Sequence, residues 1–156
     1  MIYSRSTEYA IRALVHLAQV EPGKYAMVKQ IAADEKIPAH FLAKILQHLV
    51  RRRLLRSSKG PTGGFCLHVP ATKIRLMQLV DALDGLADCN KCISGLSECT
   101  DGAPCGMHDS WKALRSRIID YLETTTIAEL VSSLAAKRRA AAKRRRTRKA
   151  SSGRRG

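Results

Sequence analysis

The stretch Ile37-Pro38-Ala39-His40-Phe41-Leu42-Ala43-Lys44-Ile45-Leu46-Gln47-His48-Leu49-Val50-Arg51-Arg52, continued by Arg53-Leu54-Leu55-Arg56-Ser57-Ser58-Lys59-Gly60-Pro61-Thr62-Gly63-Gly64-Phe65-Cys66-Leu67, decides the fold. Leu42, Ile45, Leu46, Leu49 and Val50 recur at helical spacing and predict a helix from about Ala39 to Arg53, with Pro38 suited to its first position. His40, Lys44, Gln47, His48, Arg51 and Arg52 are left for its other faces. Upstream, Val28, Ile31 and Ala32 mark a short helix ending near Glu35. Two short helices joined by a tight turn, the second polar and basic on its free side, are what a helix-turn-helix needs to enter a major groove. That pattern is weak alone. It gains weight from Leu54 to Leu67, which reads as two strands around a glycine-rich turn, a wing whose tip residue Lys59, beside Gly60, can reach phosphate or a minor groove.

Working outward, Ser6-Thr7-Glu8 precedes an amphipathic first helix, Tyr9 to Val20, ended by Glu21-Pro22-Gly23. On the other side, Leu76 to Leu83 forms a short helix with Thr72 near its start and Asp84-Gly85 as its stop. A helix from about Asp109 to Glu123 carries Trp111, Leu114, Ile118 and Leu122 as a wide apolar stripe, a face suited to core or dimer contact. Thr126-Ile127-Ala128-Glu129 matches a capping box and predicts a last short helix through Leu134. The expected architecture is mainly α with a small β-wing. It divides into a winged helix-turn-helix over 1–86, a cysteine-rich loop over 87–108, a long helix and a C-terminal helix over 109–134, and a basic disordered tail over 135–156.

The net charge of +15 is unevenly spread. Residues 137–156 carry eleven Lys and Arg and no acid, so the rest of the chain is only about +4. The tail has alanine but no large apolar residue to bury, which predicts disorder, with nascent helix near Ala140 to Ala142 and a non-specific attraction to phosphate. No apolar run is long enough to cross a bilayer, and Arg5, Glu8 and Arg12 interrupt the order of a secretory signal, so a cytoplasmic protein without membrane contact is expected. Nothing resembles a substrate pocket, a phosphate cradle or an acid-base pair, and an enzyme is not expected.

Four of the five cysteines fall in Asp88-Cys89-Asn90-Lys91-Cys92-Ile93-Ser94-Gly95-Leu96-Ser97-Glu98-Cys99-Thr100-Asp101-Gly102-Ala103-Pro104-Cys105-Gly106-Met107-His108. Cys66, in the wing, reads as a small buried hydrophobe. In a reducing compartment an odd number of thiols argues against a disulfide framework and for ligation or redox chemistry. Cys92, Cys99, Cys105 and His108 supply four ligands, two for each iron of a [2Fe-2S] rhomb. The same donors suit tetrahedral zinc, with Cys89 and Cys92 as a close pair, or a thiol-disulfide sensor. Spacing leaves all three open.

The combination resembles the Rrf-two family of bacterial winged-helix regulators, and within it the IscR-, NsrR- and RirA-like iron-sulfur sensors. The likeness rests on Tyr9-Ala10, Phe41-Leu42-Ala43-Lys44-Ile45-Leu46, Gly60-Pro61-Thr62-Gly63-Gly64-Phe65, the three spaced cysteines, His108 with Trp111, and Thr126 to Leu130. It covers residues 1 to about 134 and leaves the tail outside. The resemblance implies a homodimer held by the long helix, a repressor reading a palindromic DNA operator, and an iron-sulfur cluster answering to iron, redox state or nitric oxide. It implies Cys92, Cys99, Cys105 and His108 as ligands, [2Fe-2S] favoured over [4Fe-4S]. The first cysteine gap is one residue longer than in the cluster-biogenesis regulator, and Cys89 and Glu8 are alternative ligands. Ala43 stands where that regulator has an acid, so its discrimination between two site classes is not carried over. The DNA-binding residues expected are Pro38, His40, Phe41, Lys44, Arg51, Lys59 and Gly60. The alternative is a regulator of the same fold without a cluster, controlled by thiol redox, zinc or a partner protein.

Overall fold

The computed structural model describes residues 3–85, 92–96 and 99–152, the last nine of these as backbone only. The elements run α1 (Arg5–Leu17), α2 (Val28–Glu35), α3 (Ala39–Arg51), β1 (Leu55–Ser58), β2 (Gly64–Leu67), a 3-10 turn (Ala71–Lys73), α4 (Leu76–Leu83), α5 (His108–Thr124) and α6 (Ile127–Ser152). α1 starts four residues before the Tyr9 expected from its apolar pattern. Ser4 caps it, its hydroxyl accepting from the Thr7 N–H at 3.3 Å, while its own N–H is donated to Asp84 just past α4. α1 therefore begins tied to the far end of the domain.

α1 to α4 enclose the core. Leu14, Ile31, Leu42, Leu46, Leu49, Leu55, Ile74, Leu76 and Leu79 are fully buried, and each comes from the apolar phase of its own element. From the C-terminal helices, Leu122 and Ile127 also bury fully. The junction between those helices is held by backbone pairing: Leu76 N–H donates to Thr125 C=O at 3.0 Å and Ile127 N–H to Ile74 C=O at 2.9 Å. The end of α5 and the start of α6 are thus fixed to the loop between wing and α4.

Both helices of the helix-turn-helix end in a left-handed residue that is not glycine, Lys36 (φ 53°) and Arg53 (φ 58°). After α3, Leu54 N–H reaches Leu49 C=O at 3.0 Å and Arg53 N–H reaches Val50 C=O at 2.9 Å, the double closure of a Schellman motif. Ile37 N–H to Ala32 C=O at 2.9 Å closes the end of α2 in the same way, and the buried Ile37 anchors the turn. Pro38 stands one residue before the first helical position expected for it. It is the N-cap of α3, and its carbonyl accepts from Phe41 and Leu42 N–H at 3.1 and 3.0 Å.

The wing pairs Leu55 with Leu67, Arg56 with Cys66, Ser57 with Phe65 and Ser58 with Gly64, antiparallel. Ala26 adds a bridge to Phe65, with both N–H···O bonds at 2.9 Å. Cys66 is buried in β2 as expected. On α5 Leu122 is buried, while Leu114 and Tyr121 are about half exposed, at 51% and 53%. One expectation needs correction. The last helix does not stop at Leu134 but runs through Ser152. Alanine, lysine and arginine are all good helix formers, and no glycine or proline interrupts the segment until Gly153.

Candidate functional site

α3 is held from below by Leu42, Ile45, Leu46 and Leu49, which turns the opposite side outward. His40, Lys44, Gln47 and Arg51, spaced four, three and four residues apart, are all exposed and form one stripe. Phe41 is divided between two tasks. It meets the Tyr9 ring edge-on, with centroids 5.9 Å apart at 85°, and keeps 36% of its surface exposed. Arg12 lies 6.0 Å from the same Tyr9 ring and pairs with Glu8 and Glu35, joining α1 to α2. Pro38 is exposed at the head of α3. Lys29 and Gln30, not among the residues expected to meet DNA, are exposed on α2, the helix that in this motif crosses the DNA backbone. Their polar side at helical spacing from the buried Ile31 was the available signal.

Lys59 and Gly60 are exposed at the wing tip, where Gly60 takes φ 102° and its carbonyl accepts from Gly63 N–H at 3.0 Å. Gly64, at φ 145°, has the Ala26 backbone where a Cβ would stand. Only glycine allows the wing to close on Ala26. Arg56 on β1 is exposed and donates from Nε to His68 Nδ1.

The cysteine-rich loop leads into α5. Cys92 and His108 are buried there, Cys99 and Cys105 half-buried. Ser94 Oγ donates to Cys105 Sγ at 3.0 Å. Cys92 is held below the usual thiol range, first by donation from the Ser94 backbone N–H and also by contact with the Cys105 thiol. A second pair forms separately, with Cys99 Sγ 3.7 Å from His108 Nδ1. On the other side of the imidazole, Nε2 stands 2.8 Å from Asp101, whose carboxylate takes Lys112 Nζ at 2.7 and 2.8 Å. Lys112 foremost, then His108, lowers the Asp101 carboxyl to about 2. The four expected ligands thus lie as two pairs, Cys92 with Cys105 and Cys99 with His108. Among the described residues no three His, Cys, Asp or Glu converge on one metal position. Cys89 lies outside the described residues, and Glu8 faces Arg12 at 3.7 Å on α1.

Asp101, Lys112 and Ser94 were not singled out from the sequence. With the proton on Nε2, donated to Asp101, Nδ1 keeps the lone pair that a metal needs, the arrangement by which an outer carboxylate orients a ligating histidine. The available signal was the spacing that brings Lys112 one helical turn past His108.

A helix-turn-helix with a wing, a polar stripe on its second helix and a thiol-imidazole loop attached define a DNA-binding regulator and not an enzyme. The chain belongs to the Rrf2 family, described as iron-dependent transcriptional regulators, whose model matches residues 3–133. It is 34% identical over 134 residues to a helix-turn-helix-type transcriptional regulator of Aquifex aeolicus, covering 85% of this chain and 92% of that one. It is 31% identical over 124 residues to the transcriptional regulator IscR of Vibrio vulnificus, covering 80% and 73%. Its fold resembles that of CymR, the global cysteine regulator of Bacillus subtilis, with a TM-score of 0.70 at 22% identity over 83% of this chain and 95% of that one. No helix among the described residues is long and apolar enough to cross a membrane.

Proposed function

We propose that the protein is a homodimeric operator-binding repressor whose grip on DNA is set by a [2Fe-2S] cluster held by Cys92, Cys99, Cys105 and His108. The observation that carries this is the arrangement of those four donors as two pairs at the head of α5. Two ligands per iron suit two pairs, whereas one tetrahedral zinc needs all four donors around one point. The lowered Cys92 thiol favours the ligating thiolate, and Asp101 on Nε2 orients the His108 ring with Nδ1 toward Cys99. When bound, the cluster supplies an electron-accepting, oxidant-sensitive centre. The protein's own residues convert its presence into loop order at the start of α5.

His40, Phe41 and Lys44, behind Pro38, approach base edges in the major groove, while Arg51, Lys59 and Gly60 hold phosphate or minor groove. Half-exposed Leu114 and Tyr121, with half-buried Trp111 and Ile118, leave α5 an apolar side that a second copy covers. Two copies then present paired recognition helices to a palindrome.

A second control is favoured by one contact. The Cys92 thiol is in contact with the Cys105 thiol, and a peroxide that takes two electrons and two protons from the two would leave a disulfide and two waters. Cluster control is tested on Cys99→Ala purified without oxygen, and thiol control on the wild type exposed to peroxide. Cluster control requires that the variant remain a folded dimer and lose iron and sulfide. Full iron and sulfide in the variant contradicts the ligand assignment, and a wild-type protein without iron that responds to peroxide transfers control to the thiols.

A further inference from the structure

We infer that the extension of α6 beyond the family domain, residues 137–152, is a second DNA-binding surface that binds the phosphate backbone of duplex. The inference rests on the proposed operator binding by the body of the protein and adds a surface that the family match, ending at residue 133, does not include. α6 is continuous from Ile127 to Ser152, so the basic segment is joined to the folded body by helix and not by a flexible linker. Its base is fixed, since Ile127 is fully buried and Thr126 pairs with Arg75. Sixteen helical residues span about 24 Å at the usual rise.

The segment's composition selects its partner. Nine of these sixteen residues are Lys or Arg, none is acidic, and the others are Ala, Thr and Ser. The bases occur at 137–139, 143–146, 148 and 149, positions that at 100° per residue are spread over all but about a quarter of the helix circumference. A helix that inserts at a membrane surface needs an apolar side to bury among acyl chains, and this one has nothing larger than alanine. An acidic protein partner would need an aromatic or aliphatic anchor to centre a stable interface, and none is present. Phosphates on both walls of a groove suit a helix charged over most of its circumference, and released counterions supply the driving force.

The test uses the full-length chain and a variant with Lys143, Arg144, Arg145, Arg146, Arg148 and Lys149 all replaced by Gln, a good helix former, with circular dichroism to show that both are folded. Affinity for a mixed-sequence duplex is followed between about 50 and about 200 mM salt, with phosphatidylglycerol vesicles as a parallel ligand. The expected result is about tenfold or greater weakening in the variant and a salt slope shallower by about two or more, since each lost phosphate contact removes roughly 0.9. Equal affinity and slope in the two proteins overturn the inference, as does tighter capture of the wild type by vesicles than by duplex. Selection from a random duplex pool separates this outcome from failure of the operator reading. If wild type enriches one sequence while the salt slopes agree, the body binds DNA and the extension does not. If no sequence is enriched, the operator reading itself has failed.

Discussion

Gly64 shows what a single residue decides in this molecule. Its φ of 145° and the Ala26 backbone beside it leave no position for a Cβ, so Gly64→Ala must separate β2 from Ala26 or strain the wing. The expected cost is about 1–3 kcal/mol, from strain of that size at a glycine-only conformation. Urea unfolding would show it as a lowered midpoint, and an unchanged midpoint would mean that the wing closes without Ala26. The glycine-rich turn was legible in the sequence because glycine and proline punctuate strands. The Ala26 contact was not, since it joins residues 39 apart and leaves no local signal. Asp101 was hidden for a similar reason: an acid in a Gly- and Pro-rich loop looks like solvent-facing turn chemistry until the fold places it 2.8 Å from His108. Lys36 and Arg53 carry the opposite lesson, because hydrogen bonds of the surrounding turns hold both in a left-handed conformation that favours glycine.

Among the elements, the helices with one buried side were the most legible. α2 begins and ends as its apolar spacing and turn residues indicate, and α3 stops within two residues of the expected Arg53. α6 was only half legible. Its start is set by the Thr126-Glu129 box: Thr126 N–H donates to Glu129 at 2.7 Å, and Glu129 N–H donates back to Thr126 Oγ1 at 3.2 Å. Its end carries no stop signal before Gly153, and charge density, which pointed to disorder, opposes an alanine-rich helix propensity that points the other way. The capping box predicts a pH dependence. Donation from the Thr126 N–H, then from its hydroxyl, lowers the Glu129 carboxyl from its usual 4.5, so its stabilisation is fully present above that value and is lost as pH falls through the lowered folded-state value. The stability difference between wild type and Glu129→Gln, followed by thermal unfolding, should therefore shift as the pH is taken from neutral to below 4.5. A difference that stays constant across that range would show that Glu129 titrates alike in folded and unfolded chains.

At the scale of the whole molecule, two features stand apart from the α1–α4 core. One is the thiol-imidazole loop at the head of α5. The other is the partly uncovered apolar side of α5, which buries only His108 and Leu122 within one chain. The far end of α5 is pinned to the loop after the wing by the Leu76–Thr125 and Ile127–Ile74 bonds. A change in order at Cys92, Cys99, Cys105 and His108 therefore acts on a helix that the proposed dimer shares and that is attached at its other end to the DNA-binding body. Spacing singled out four candidate donors but could not say whether they converge or pair, because that depends on how a loop rich in Gly, Pro and Ser folds. The most direct measurement is anaerobic purification of the full-length protein, with iron, sulfide and zinc determined on the same sample used for its absorption spectrum and for duplex binding before and after cluster removal. Iron and sulfide in equal amounts, visible charge-transfer absorption and a change in operator affinity on removal are the predicted results. A colourless protein with stoichiometric zinc, or one whose operator affinity is the same with and without its cluster, would contradict cluster control.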